Sequence, residues 1–196
     1  LNVDFDEKKL TPAQKETMKT IELELISELK SKNPSDLIRF WEPHERMPDA
    51  EIEKKYPRIY SVELYTEYNK KYRKNLFKRT IMSKNWKYME NPLVNATYLE
   101  LDVQDQKKLI LWSKDSYKFL ENAIKEKLGY SLKTIRFDFL LEEDGTFTIP
   151  YLPLFNIALA RNPKDKQLIP FYSYLAEITQ VFELIKQMHS RSNPPS

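Results

Sequence analysis

A chain of 196 residues with 41% hydrophobic and 13% aromatic residues can bury a core of large rings within one ordinary domain. Its charged content of 31% and mean hydropathy of −0.65 exclude a membrane span, since no apolar run approaches the roughly 18–20 residues that spanning needs. Two glycines, two histidines and no cysteine exclude disulfides, cysteine-based zinc and iron–sulfur sites, and glycine-rich phosphate loops.

The formal charge of +3 is unevenly placed. Residues 1–60 hold 11 Lys/Arg against 13 Asp/Glu, residues 61–90 hold 8 against 3, and residues 91–196 hold 13 of each. The positive excess therefore belongs to one stretch of the chain.

In chain order, Thr11-Pro12-Ala13-Gln14 is a helix start with a cap, a proline at the first helical position and a capping-box partner. Met18, Ile21, Leu25 and Leu29 continue it at helical spacing to about Lys30, with a stop at Asn33-Pro34. A short second helix capped by Asn33 is expected over Leu37, Ile38, Phe40 and Trp41. Pro43, Pro48 and Pro57 break residues 42–60, leaving room for two helical turns from Asp49 to Lys55. Trp41, Ile52, Tyr56, Ile59 and Tyr60 in this stretch call for burial.

Ser61 is expected to cap a long helix to about residue 82, striped by Leu64, Tyr65, Tyr68, Tyr72, Leu76 and Ile81. Residues 97–112 read either as two antiparallel strands or as a helix beginning near Asp102. Ser113 to Leu128 is a helix with a seam of Tyr117, Leu120, Ile124 and Leu128, ending at Gly129 in the left-handed position.

Ile135, Phe137, Phe139 and Leu141 alternate with polar residues, turn through Glu143-Asp144-Gly145, and resume as Phe147, Ile149 and Tyr151. Pairing Leu141 with Phe147, Phe139 with Ile149 and Phe137 with Tyr151 keeps both apolar sets on one face, and Gly145 takes the bulge position. Pro150 makes the return strand an edge or ends it. A final helix opens at Pro170, with Phe171, Tyr174, Leu175, Ile178, Phe182 and Ile185 on its apolar face, and Ser190–Ser196 is expected to be a disordered tail.

These elements make an α+β chain: a proline-interrupted helical extension over 1–60, a basic aromatic helix over 61–90, a compact α+β unit over 91–190 and a tail over 191–196. A single domain overall accommodates the same elements.

The candidate binding residues are Lys70, Lys71, Arg73, Lys74, Lys78, Arg79, Lys84 and Lys87, with no acidic residue between Glu67 and Glu90. On a helix, 70, 74 and 78 share a face that suits phosphate, with Tyr68, Tyr72, Phe77, Trp86 and Tyr88 available to stack on bases. An acidic protein partner or plain solvation fits the same charges. Trp41, Tyr56, Tyr60, Trp86 and Tyr88 are candidate protein-interface anchors.

Carboxylates are sparser. Glu100 and Asp102 on a possible strand, with Asp138 and Glu142, outline a metal-dependent nuclease as a third possibility, while Asp102 opposite Lys108 reads equally as a plain cross-strand charge pair. His44 sits in a loop and His189 near a helix end, neither with a fixed nucleophile or carboxylate. Arg136-Phe137-Asp138-Phe139 before an Asp-Gly turn superficially resembles the metal-binding hairpin of ATP-grasp ligases. That family carries Glu-x-Asn on the return strand, whereas this one reads Thr146-Phe147-Thr148-Ile149-Pro150-Tyr151, and the family's glycine loop is missing. The resemblance is therefore set aside.

The expectation from sequence is a non-catalytic subunit of a larger intracellular complex, with no cofactor, no metal and no catalytic residue. Its partners would be other protein subunits and RNA or DNA, in the mitochondrial matrix or nucleus, and not a membrane. A self-standing RNA- or DNA-binding protein using a basic helix over 70–87 is the alternative.

Overall fold

The computed structural model describes residues 9–56, 59–66, 72–79, 101–152, 154, 157–165 and 169–192. Its first helix, α1 (Pro12–Lys32), begins with the expected reciprocal cap: Gln14 N donates to Thr11 Oγ1 at 3.1 Å, and Thr11 N donates to Gln14 Oε1 at 3.1 Å. The next element corrects an expectation. Ile38–Phe40 is a strand, β1, rather than a short helix. Three residues carry too little periodicity to show this; the parallel pairing with a distant strand decides it. The two predicted turns of helix form as α2 (Asp49–Lys55).

The long basic helix over 61–82 does not form. Ile59–Thr66 is β2 and Tyr72–Arg79 is β3, paired antiparallel from Ile59↔Arg79 to Thr66↔Tyr72. Tyr60, Val62 and Leu64 are fully buried on one side of β2, and Ser61 is buried on the other. That period-two pattern competes with the helical spacing and prevails because β2 gains a second neighbour in the sheet.

Of the two readings of residues 97–112, the helix is found where the chain is described: α3 runs from Val103 to Leu128. Asp102 caps it by accepting from Gln104 N at 2.6 Å, and Gly129 ends it at φ 75°. Three strands follow: β4 (Ser131–Leu141), β5 (Phe147–Ile149) and β6 (Ala158–Ala160). The hairpin has the expected Leu141↔Phe147 pairing, Gly145 stands at φ 87°, and β5 ends before Pro150. The short strand β7 (Ile169–Pro170) and one 3-10 turn (Phe171–Tyr174) lead into α4 (Leu175–Ser192). The helix thus continues past Ser190, into the expected tail.

The strands form one mixed sheet in the order β1-β5-β4-β2-β3, with β6 also on β4 and β7 on β6. β4 is its centre. Ile135, Phe137 and Phe139 are fully buried against α3, where the Trp112 ring meets Phe137 edge-on at 5.2 Å and Phe139 at 5.8 Å. A continuous core joins Met18 and Leu25 of α1 to Leu120 of α3 and Ile178 of α4. Residues from the expected extension and from the expected compact unit thus share one interior. A second apolar cluster lies at Leu140 on the alternate side of β4, made with Ile59, Trp41, Ile52 and Tyr56.

The two left-handed glycines allow a clean test. A Cβ at Gly129 would meet no atom within 4 Å, so a side chain there strains only the backbone. Gly129→Ala should lower stability by about 1–2 kcal/mol in chemical denaturation, and Gly129→Asn by less, because asparagine tolerates the left-handed conformation.

Candidate functional site

The sheet has two unlike faces. Ile135, Phe137 and Phe139 meet the helices, and the alternate residues of β4 carry the polar chemistry. Register places Ser61 opposite Asp138 and Glu63 opposite Arg136. Ser61 Oγ donates to Asp138 Oδ1 at 2.6 Å, and Arg136 Nη2 donates to Asp138 Oδ2 at 3.0 Å. Asp138 is 4% exposed, so both its oxygens are engaged in a nearly water-free place. One residue pair further along, Thr134 Oγ1 donates to the Leu64 carbonyl at 2.9 Å.

A second polar group sits where β5 and β1 meet the hairpin. Glu142 Oε1 accepts from Tyr56 OH at 2.9 Å and from Thr148 Oγ1 at 2.8 Å. Thr148 is level with Leu140 on one side and Arg39 on the other, and Arg39 pairs with Glu45 at 3.2 Å. Burial and the Glu142 carboxylate push the Tyr56 hydroxyl up to about 12. Burial and Glu177 do the same to Tyr130, also to about 12. Arg161 lies over the Tyr130 and Tyr174 rings while pairing with Glu177 at 2.8 Å.

The Ser61–Asp138–Arg136 group is the candidate site. A guanidinium held by a carboxylate is oriented for the planar, two-oxygen recognition of a carboxylate or phosphate. A divalent metal is less suited to Asp138, whose oxygens already serve an arginine and a hydroxyl. Among the described residues no three His, Cys, Asp or Glu side chains group as metal ligands.

The residues singled out from sequence fare differently. Arg73, Lys74, Lys78 and Arg79 stand on β3, a strand and not the expected helix. Lys70, Lys71, Lys84, Lys87, Trp86 and Tyr88 lie outside the described residues. Trp41, Tyr56 and Tyr60 are 4%, 5% and 0% exposed. They belong to the protein's own interior, which corrects their reading as interface anchors. Asp102 is a helix cap and Lys108 lies on α3, so Asp102 does not stand on the strand that the nuclease reading gave it, nor opposite Lys108 in a cross-strand charge pair; Glu100 lies outside the described residues. His44 and His189 are exposed and far apart in the chain. Sequence reasoning missed Ser61, which it placed at a helix start; the alternation of Tyr60, Val62 and Leu64 around it was the available signal.

No protein-family model matches the chain, and no curated protein does. Solved structures do. A SAICAR synthetase from structural genomics is 14% identical with a TM-score of 0.56, covering 94% of this chain and 89% of its own. A type-2 SAICAR synthetase in complex with ADP is 14% identical at TM-score 0.47, covering 72% of this chain and 65% of its own. The phosphoribosylaminoimidazole-succinocarboxamide synthase of Ehrlichia chaffeensis is 10% identical at TM-score 0.43, covering 71% and 65%.

The first of these likenesses shows the fold. It also corrects the expectation of a non-catalytic complex subunit, because the fold the chain shares is that of an enzyme. The expectation rested on missing motifs, and a fold is recognised by the arrangement of its elements rather than by glycine or cysteine signatures. Its nucleic-acid alternative loses the shared helical face on which it was built. Among the described residues, no helix is long and apolar enough to cross a membrane.

Two measurements check this geometry. Removing Asp138 alone, as Asp138→Ala, takes from Arg136 and Ser61 the carboxylate they share and should cost about 3–5 kcal/mol. The double variant Arg136→Met/Asp138→Leu should cost clearly less than the sum of the two single changes in a double-mutant cycle. Tyr56 and Tyr130 set an alkaline limit. Their hydroxyls ionise near 10 when unfolded and near 12 when folded, so the stabilisation is complete below pH 10 and lost as pH rises towards 12. Urea unfolding across that range should show the fall in stability, and it should be shallower in Tyr56→Phe and Tyr130→Phe.

Proposed function

We propose that this chain is an enzyme of the synthetase kind, joining two substrates at the expense of a nucleoside triphosphate. The observation that carries the reading is the likeness of nearly the whole chain to a SAICAR synthetase, 94% of it at a TM-score of 0.56. The Ser61–Asp138–Arg136 group supports it locally. Arg136 would meet a carboxylate or phosphate oxygen of the substrate, Asp138 would hold the guanidinium in place, and Ser61 would hold Asp138. Such a role needs neither a cysteine nor a histidine, which accords with how few of these the chain has.

The reading is tested by ligand-induced stabilisation. With Mg²⁺ and a nucleoside triphosphate at about 100 times its dissociation constant, the linkage is about 2.7 kcal/mol, or roughly 5–10 °C in melting temperature for a chain of this size. Arg136→Lys should keep the unliganded melting temperature within a few degrees and weaken the turnover of substrate. No stabilisation by any nucleoside triphosphate, together with no phosphate release when amine and carboxylate substrates are supplied, would sink the proposal.

A further inference from the structure

α4 carries an apolar surface that the core does not use. Leu175, Ile178 and Thr179 are buried, and Lys186 reaches across to Glu16 of α1 at 3.0 Å, so one side of the helix is committed to the fold. Val181, Leu184, Ile185 and Met188 stand on another side, where they are 49%, 53%, 44% and 66% exposed. Their spacing of three, four and seven residues draws them into one stripe. A single exposed leucine needs no explanation, but four large apolar side chains in one contiguous stripe do.

The stripe is its own complement. Positions 181, 184, 185 and 188 are symmetric about the midpoint between Leu184 and Ile185. In an antiparallel pair of α4 helices related by a two-fold axis at that midpoint, Leu184 meets Ile185 of the second copy, and Val181 meets its Met188. The polar residues that border the stripe on one side, Glu177, Gln180, Gln187 and Arg191, are all exposed and follow the same symmetry. Acid falls opposite base at the two ends, Glu177 to Arg191, and amide falls opposite amide between them. Glu177 keeps its Arg161 partner at 2.8 Å, so Arg191 of the second copy would add to that pair rather than replace it. A parallel pair would instead set Glu177 against Glu177 and Arg191 against Arg191.

We propose that the exposed stripe of α4 is a self-association surface, on which a second copy of this chain docks antiparallel about a two-fold axis. The apolar residues supply affinity, and the acid and base at opposite ends of the border set the direction. Four side chains about half exposed, with their border, fall short of the roughly 800 Å² per partner of a standard interface. The dimer therefore forms reversibly, at about micromolar concentrations and above. The inference goes beyond the synthetase reading and does not depend on it.

The test is sedimentation velocity of the full chain from about 1 to 300 μM, a range that brackets a weak dimer. The weight-average mass is expected to rise from 23.5 kDa towards twice that value. Leu184→Glu should weaken the dimer about tenfold or more and leave the melting temperature of the dilute protein unchanged, because Leu184 is exposed in the single copy. Direction is read by cross-linking, since the chain has no cysteine of its own. Under mild oxidation the variants Val181→Cys and Met188→Cys should cross-link when mixed and not alone. In the antiparallel pair each of these positions lies seven helical residues, about 10.5 Å, from its own counterpart, whereas a disulfide spans at most about 7 Å between Cα atoms. A chain that stays monomeric throughout, including one that adsorbs to phosphatidylcholine vesicles through the same residues, would overturn the proposal. So would a dimer that Leu184→Glu leaves intact, or a Val181→Cys variant that cross-links to itself as readily as to Met188→Cys.

Discussion

A carboxylate buried in the middle of a sheet tolerates very few arrangements around it, and Asp138 imposes that constraint here. Each oxygen lost to water must be given a donor, or the carboxylate destabilises the fold. Ser61 and Arg136 are those donors. Sliding β2 by one residue would bring Tyr60 or Val62 opposite Asp138 and carry Ser61 to the helix-covered face. One hydroxyl thus helps to hold the register of β2 on β4. Through β2 it also holds β3, and the apolar rows Tyr60–Phe139, Val62–Phe137 and Leu64–Ile135 fall into place against α3.

Much of this architecture is written locally. The Thr11 capping box, the Asp49–Lys55 helix, the Gly129 stop and the Leu141–Phe147 hairpin each follow from a few adjacent residues, and each is found. Residues 59–79 are different. Leu64, Tyr65, Tyr68, Tyr72 and Leu76 satisfy a helical spacing, and neither a glycine nor a proline marks a turn between the two strands. The choice is made by β4, some seventy positions away in sequence, which offers β2 a partner that an isolated helix could not match. β1, β6 and β7 are only two or three residues each, too short for any period to declare itself.

The candidate site was half legible for the same reason. Arg136 and Asp138 stand two apart on an evident strand, so their sharing of a face follows from sequence alone. Ser61 joins them only once residues 59–66 are known to be a strand. The scarcity of glycine, histidine and cysteine removes whole classes of chemistry, yet it leaves untouched a site made from serine, arginine and aspartate on a sheet. A reading that moves from absent motifs to absent catalysis overlooks sites whose parts are common residues.

The pairings of the sheet also bear on how the molecule comes to be folded. Arg39 stands beside Thr148, and Ser61 beside Asp138, so neighbours in space are drawn from opposite halves of the chain. Loops of this length must close before such contacts give anything back, which slows folding relative to a helical bundle of equal size. During synthesis α1 and the β2–β3 hairpin emerge well before β4. Until that strand leaves the ribosome, Val62 and Leu64 have no Phe137 or Ile135 to cover them. The nascent chain must carry apolar strands with exposed edges while about seventy further residues are added, and it is then that a holding chaperone has the most to protect.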